Sequence, residues 1–133
     1  MTSSGRRALS ADWRRLSREA GLRVDSDSIE VTFYDERQQT VYVEAMTDEA
    51  IRLWSVVARP SALDPLDDPV VDAWRRNRLS EFVGFTLDRR GRMIGESWLP
   101  VDGLTPTEWS FYVFNLARAC DRFEYLITGR DEA

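Results

Sequence analysis

The stretch Phe82-Val-Gly-Phe-Thr-Leu-Asp-Arg-Arg-Gly-Arg-Met-Ile-Gly-Glu-Ser-Trp-Leu-Pro100 decides how this chain folds. Val83, Phe85 and Leu87 fall on alternate positions, the period of a strand with one buried face. A second strand runs from Met93 to Leu99 and stops at Pro100, which lacks the N–H a ladder needs. Between them Asp88-Arg-Arg-Gly91 reads as a tight turn, with Gly91 where a positive φ is needed. Strands joined this closely pair antiparallel.

The chain beyond this hairpin reads as one long helix. Thr105 precedes Pro106 at the first helical position, and Glu108 completes a capping box three residues after Thr105. Trp109, Val113, Leu116, Cys120, Phe123 and Ile127 then recur at helical spacing as far as about Thr128, with Gly129 as the stop. Phe111, Phe114, Arg118, Arg122 and Tyr125 fall mainly on another side of this helix.

Before the hairpin, Asp68 and Pro69 open a helix that ends near Ser80, with Val70, Val71, Trp74, Arg78 and Leu79 expected on its buried side. Pro60 and Pro65 punctuate the connection that leads to it. In residues 51–58, Ile-Arg-Leu-Trp-Ser-Val-Val-Ala, the β-branched residues and Trp favour a strand. Thr47-Asp48-Glu49 could instead cap a helix there. Ile29, Val31 and Phe33 alternate with polar residues, as do Val41, Val43 and Ala45, so two strands flank a turn at 35–39. A first helix spans 11–20, with Ser10 as cap and Gly21 as stop. The predicted fold is α+β, in the order α-β-β-β-α-β-β-α. An antiparallel sheet carries the helices on one face. Residues 10–130 form a single domain after a flexible tail at 1–9.

Composition narrows the function. The 133 residues carry a net charge of −5, so the basic face needed for nucleic acid is not expected. Every basic residue is Arg, and His is absent. Schiff-base and Ser-His-Asp chemistry are therefore excluded, and one Cys is too few for a zinc site. No apolar run approaches a membrane span or a signal peptide, and the single Cys agrees with a reducing compartment. The expectation is a cytoplasmic protein with no cofactor, no metal and no catalytic residue. Asp67-Asp68 and the pair Glu30 and Glu44 are the carboxylates nearest to an acid/base arrangement. They read as a helix cap and as solvated cross-strand acids. Asp88-Arg-Arg-Gly-Arg92 reads as a solvated hairpin tip, and Cys120 as a buried, inert thiol.

The element order, the 82–100 hairpin and the closing helix from Leu104 to Arg130 resemble the YbjN and class I type III secretion chaperone-like (Tir chaperone-like) group. That resemblance implies a bacterial, non-enzymatic and often dimeric domain that binds extended partner segments along apolar grooves. Two sets of residues are candidates for such contacts. Trp54, Val56, Ile94 and Trp98 form a partner groove on an open sheet face, or else core beneath the helices. Phe111, Phe114 and Tyr125 give the last helix more apolar surface than one stripe needs, which means deep burial or contact with another chain. Arg118 and Arg122 on that side pair with a neighbour's acids or are simply solvated. The leading expectation is a chaperone-like or adaptor domain that binds another protein, with a homodimer as a further expectation. The alternatives are a ligand-sensing regulator with an aromatic-lined pocket, and an enzyme working with carboxylates and Arg alone.

Overall fold

Alternating apolar residues build one six-stranded sheet, in which every neighbouring pair is antiparallel. The computed structural model describes residues 13–47, 49–100 and 102–128. The expected tail at 1–9, the Ser10 cap, the helix start at 11–12, Asp48 and the Gly129 stop lie outside the described residues. The elements are α1 (Trp13–Glu19), β1 (Arg23–Val24), β2 (Ser28–Thr32), β3 (Gln38–Ala45), β4 (Ala50–Ala58), α2 (Pro69–Asn77), β5 (Gly84–Leu87), β6 (Met93–Pro100) and α3 (Pro106–Thr128). A short 3-10 turn, Pro60–Leu63, leads from β4 towards α2. The sheet order is β1-β2-β3-β4-β6-β5. Residues 51–58 are thus strand, as their β-branched content suggested, and their central place comes from pairing with both β3 and β6.

The helix α3 lies across β3, β4 and β6 on one face of the sheet. Its stripe of Trp109, Val113, Leu116, Cys120, Phe123 and Ile127 is buried, as the spacing predicts. Facing it are Val31, Val41, Ile51, Leu53, Val57, Phe85, Met93 and Leu99. The capping box forms as read: the Glu108 N–H donates to Thr105 Oγ1 at 3.1 Å, and the Thr105 N–H donates to Glu108 Oε1 at 3.1 Å. The helix α1 is locked to α3 through one buried polar contact. Trp109 Nε1 donates to Ser17 Oγ at 2.7 Å, and Ser17 Oγ donates to the Trp13 carbonyl at 2.7 Å. Burying Ser17 is tolerated because its hydroxyl is satisfied twice.

Helix and sheet approach closely at Gly95. A Cβ there would lie 2.5 Å from Cys120 Sγ and 3.0 Å from the Phe85 ring. Cys120 is fully enclosed, and burial pushes its thiol far above the usual range. It is a packing residue, in line with its place on the apolar stripe.

Four expectations need correction. The strand expected from Phe82 begins at Gly84, because Phe82 takes a left-handed φ of 65°. Its carbonyl accepts from Ser97 Oγ at 2.6 Å, outside the ladder. The turn after β2 starts earlier than expected. Phe33 N–H donates to the Arg37 carbonyl, and Arg37 N–H donates to Asp35 Oδ1, so the turn spans 33–37. The two-residue strand β1 was too short to carry a periodic signal. The largest correction concerns α2. Asp68 and Pro69 start it as read, with Asp68 Oδ1 accepting from the Val70 and Val71 N–H groups. Its apolar side, however, points outward: Val70 is 61%, Trp74 58% and Leu79 78% exposed. Only Ala73 is buried within α2. The reason is Asn77. Its side chain donates to the Phe85 carbonyl at 3.1 Å and accepts from the Phe85 N–H at 2.6 Å. That amide occupies the free edge of β5 as another strand would, and it sets which side of α2 meets the sheet.

Gly95→Ala should lower the unfolding free energy by about 1–3 kcal/mol, the range for overpacking a filled core. Gly84→Ala, where an added Cβ meets nothing within 4 Å, should change it by about 0.5 kcal/mol or less. Urea denaturation of both variants checks this. A second prediction concerns the β5–β6 turn. Partial burial works to raise the Asp88 pKa, but the N–H groups of Arg92 and Arg90 and the Arg92 guanidinium outweigh it. The carboxyl is held below the usual range. A group depressed in the folded state stabilises fully above its unfolded value and loses that effect as pH falls through the folded one. Asp88→Asn should therefore lower the urea midpoint at neutral pH, and the gap to wild type should close below about pH 4.

Candidate functional site

Among the described residues no helix covers the face of the sheet opposite α3, and the composition of that face follows from strand parity. Residues alternating with the buried set on β3, β4 and β6 all point to it. Register then places them in rows. Tyr42 lies opposite Trp54, and Trp54 opposite Glu96. Glu44 lies opposite Arg52, and Arg52 opposite Trp98. Val56 pairs with Ile94, and Ile94 with Thr86.

An aromatic platform with its own charge network results. The Tyr42 and Trp54 rings stack with centroids 4.5 Å apart. The Arg52 and Arg92 guanidinium carbons stand 5.4 and 5.7 Å from the Trp54 ring centre, within cation–π range. Glu96 Oε1 accepts from Arg52 Nε at 2.6 Å and from Trp98 Nε1 at 3.1 Å. Arg52 Nη1 also donates to Glu44 Oε1 at 3.2 Å, and Arg92 Nε donates to Asp88 Oδ2 at 2.7 Å. The arginines are thus held flat against the face by carboxylates, which orders it before any partner arrives.

All four sheet residues singled out from sequence share this face. Trp98 is 54% exposed, and Trp54 and Val56 are half-buried. Ile94 is only 3% exposed, so it forms the floor and not the contact surface. Sequence reading passed over Tyr42, Arg52, Arg92 and Glu96. The available signal was parity, because Tyr42 and Glu44 alternate with Val41 and Val43. Cross-strand register, which puts Arg52 between two acids, had no local trace.

The second set lies on the far side of the molecule, on the outer surface of α3. Phe111 and Tyr125 are about half exposed, and Arg118 and Arg122 are exposed. Phe114 is half-buried against the core. Phe111 meets Phe82 and Tyr112 edge to face, with centroids 6.4 and 5.5 Å apart. Tyr125 lies beneath Arg37, which is paired with Asp121 at 2.9 Å. The structure therefore separates the candidates into two surfaces, with α3 and the sheet between them. Glu30 and Glu44 are not paired with each other: Glu30 accepts from Thr40, and Glu44 from Arg52. Among the described residues, no three of His, Cys, Asp and Glu gather as a metal site would require. No described helix is long and apolar enough to cross a membrane.

No curated protein sequence matches the chain. Several solved structures share its fold. YbjN from E. coli superimposes with a TM-score of 0.62 at 16% identity, over 89% of this chain and 90% of that one. The Yersinia pestis structure of the type III secretion chaperone SycH with a stable fragment of YscM2 gives 0.59 at 16%, over 86% and 98%. The ExsC–ExsE complex gives 0.59 at 18%, over 90% and 95%. The family model named YbjN, "Putative bacterial sensory transduction regulator", matches residues 10–126, and the chain belongs to the YbjN family.

Proposed function

We propose that residues 10–130 act as one non-catalytic, chaperone-like adaptor domain that binds an apolar segment of another protein in the bacterial cytoplasm. The observation that carries this reading is the sheet face that no described helix covers. Trp98, Trp54, Tyr42 and Val56 stay accessible on it, while the opposite face is sealed by α3. A broad, ordered, half-apolar surface rimmed by charged groups suits a protein partner. The solved relatives give this support: SycH was captured with a fragment of YscM2, and ExsC with ExsE.

We infer further that two copies associate through α2. Its outward stripe of Val70, Val71 and Trp74 exposes large apolar side chains that its own core does not use. A two-fold contact buries the same stripe from both copies. The sensor alternative has less behind it. The groove of about 620 Å³ beside Phe33 and Phe114 is open to solvent, whereas a small-molecule pocket encloses most of its ligand.

Trp98→Asp and Trp54→Asp should each abolish capture of the partner from the native host while the thermal melt stays cooperative. Retention of the partner by both folded variants would refute the sheet-face reading. Light scattering after gel filtration should give the mass of two chains for the wild type and of one chain for Trp74→Asp.

A further inference from the structure

Three arginines that meet where α2 lies beside the outer side of α3 have no acidic partner among the described residues: Arg76 on α2 and Arg118 and Arg122 on α3. Arg37, Arg52 and Arg92, by contrast, are each held by a carboxylate. The three line one hollow of about 170 Å³ between the end of α2 and the middle of α3, together with Leu79, Ser80 and Asn115. Glu81 is the one acid on its wall. Arg76 Nε is buried and makes no hydrogen bond. Arg76 lines the hollow, so a carboxylate seated there would meet its charge beside those of Arg118 and Arg122. The Arg76 guanidinium also stands 5.7 Å from the Phe123 ring centre, which holds it at the hollow.

The surface continues past the hollow. Arg118 and Arg122 also line the groove of about 620 Å³ formed with Thr32, Phe33, Tyr34 and Phe114. One pair of arginines thus separates a hollow lined by a third arginine from an aromatic trough. A free phosphate would fill the first and make no use of the second. A chain with carboxylates flanked by apolar side chains fits both.

We propose that this surface binds an extended acidic segment of the partner, with a carboxylate in the Arg76–Arg118–Arg122 hollow and an apolar side chain on Phe33 and Phe114. The proposal rests on the reading that the domain binds another protein, and it names a second contact on the side away from the open sheet face. Electrostatic complementarity of this kind sets which segments are accepted and steers their approach.

The test is selection of short random peptides on the full chain at low ionic strength, where exposed charges act most strongly. The enriched peptides should carry paired Asp or Glu next to aromatic or aliphatic residues. Their affinity, read by fluorescence anisotropy, should fall about tenfold or more in Arg118→Gln/Arg122→Gln and in Arg76→Gln, as expected for lost charge-assisted contacts. Arg118 and Arg122 are exposed, so that double variant keeps the fold even if Arg76→Gln does not. Enriched peptides without acids, or equal binding to the arginine variants, would overturn the proposal. So would inorganic phosphate alone raising the melting temperature in an arginine-dependent way with no peptide selected, since the site would then serve a free ion. Peptides lost in Trp98→Asp but kept by the arginine variants would overturn this site and leave the sheet-face reading standing. Failure to select any peptide would overturn the proposal as well.

Discussion

The contact between Gly95 and Cys120 sets how the layers of this protein lie. A side chain on Gly95 would occupy the space that Cys120 Sγ fills, so the long helix can settle onto β4 and β6 only because that position has no Cβ. Once it settles, one stripe of the helix is spent on the sheet, and α1 follows through the Trp109–Ser17 hydrogen bond. The main helix–sheet burial falls on one side, and no described helix covers the other face of the six-stranded sheet.

An open face is a hazard as well as an opportunity, because exposed apolar sheet invites indiscriminate association. Here the aromatic rings are interleaved with arginines, and the arginines are tied down by Glu44, Glu96 and Asp88. The exposed edge of β5 is blunted by the Asn77 amide. The cost of that device is the orientation of α2, whose apolar stripe is turned outward. Two surfaces, the sheet face and α2, are therefore left apolar by the same architecture, and the outer side of α3 adds a third of opposite character, rich in arginine.

Much of the fold was legible because its signals are local. Thr105, Pro106 and Glu108 satisfy each other's backbone within one helical turn, and Trp109 to Ile127 repeat with the helical period. The 82–100 hairpin pairs strands a few residues apart. The misreadings came where the deciding group was distant in sequence. Amphipathicity in α2 says that one side is apolar, but not whether that side meets its own core. Asn77 settled that by bonding to Phe85. Phe82 looked like strand from its neighbours, yet it takes a left-handed backbone while Ser97, on another strand, bonds its carbonyl.

From sequence alone followed the order of elements apart from β1, the face of α3 that is buried, the antiparallel hairpin and the absence of His and Lys chemistry. Each depends on residue type and on spacings of a few positions. Tertiary structure alone decided that Trp54, Val56 and Trp98 share a face with Tyr42, and that Ile94 lies beneath that face. It also decided that Arg76 joins Arg118 and Arg122 at one hollow. Those juxtapositions arise from strand register and from the packing of α2 and α3, which bring together residues tens of positions apart. No local pattern encodes them.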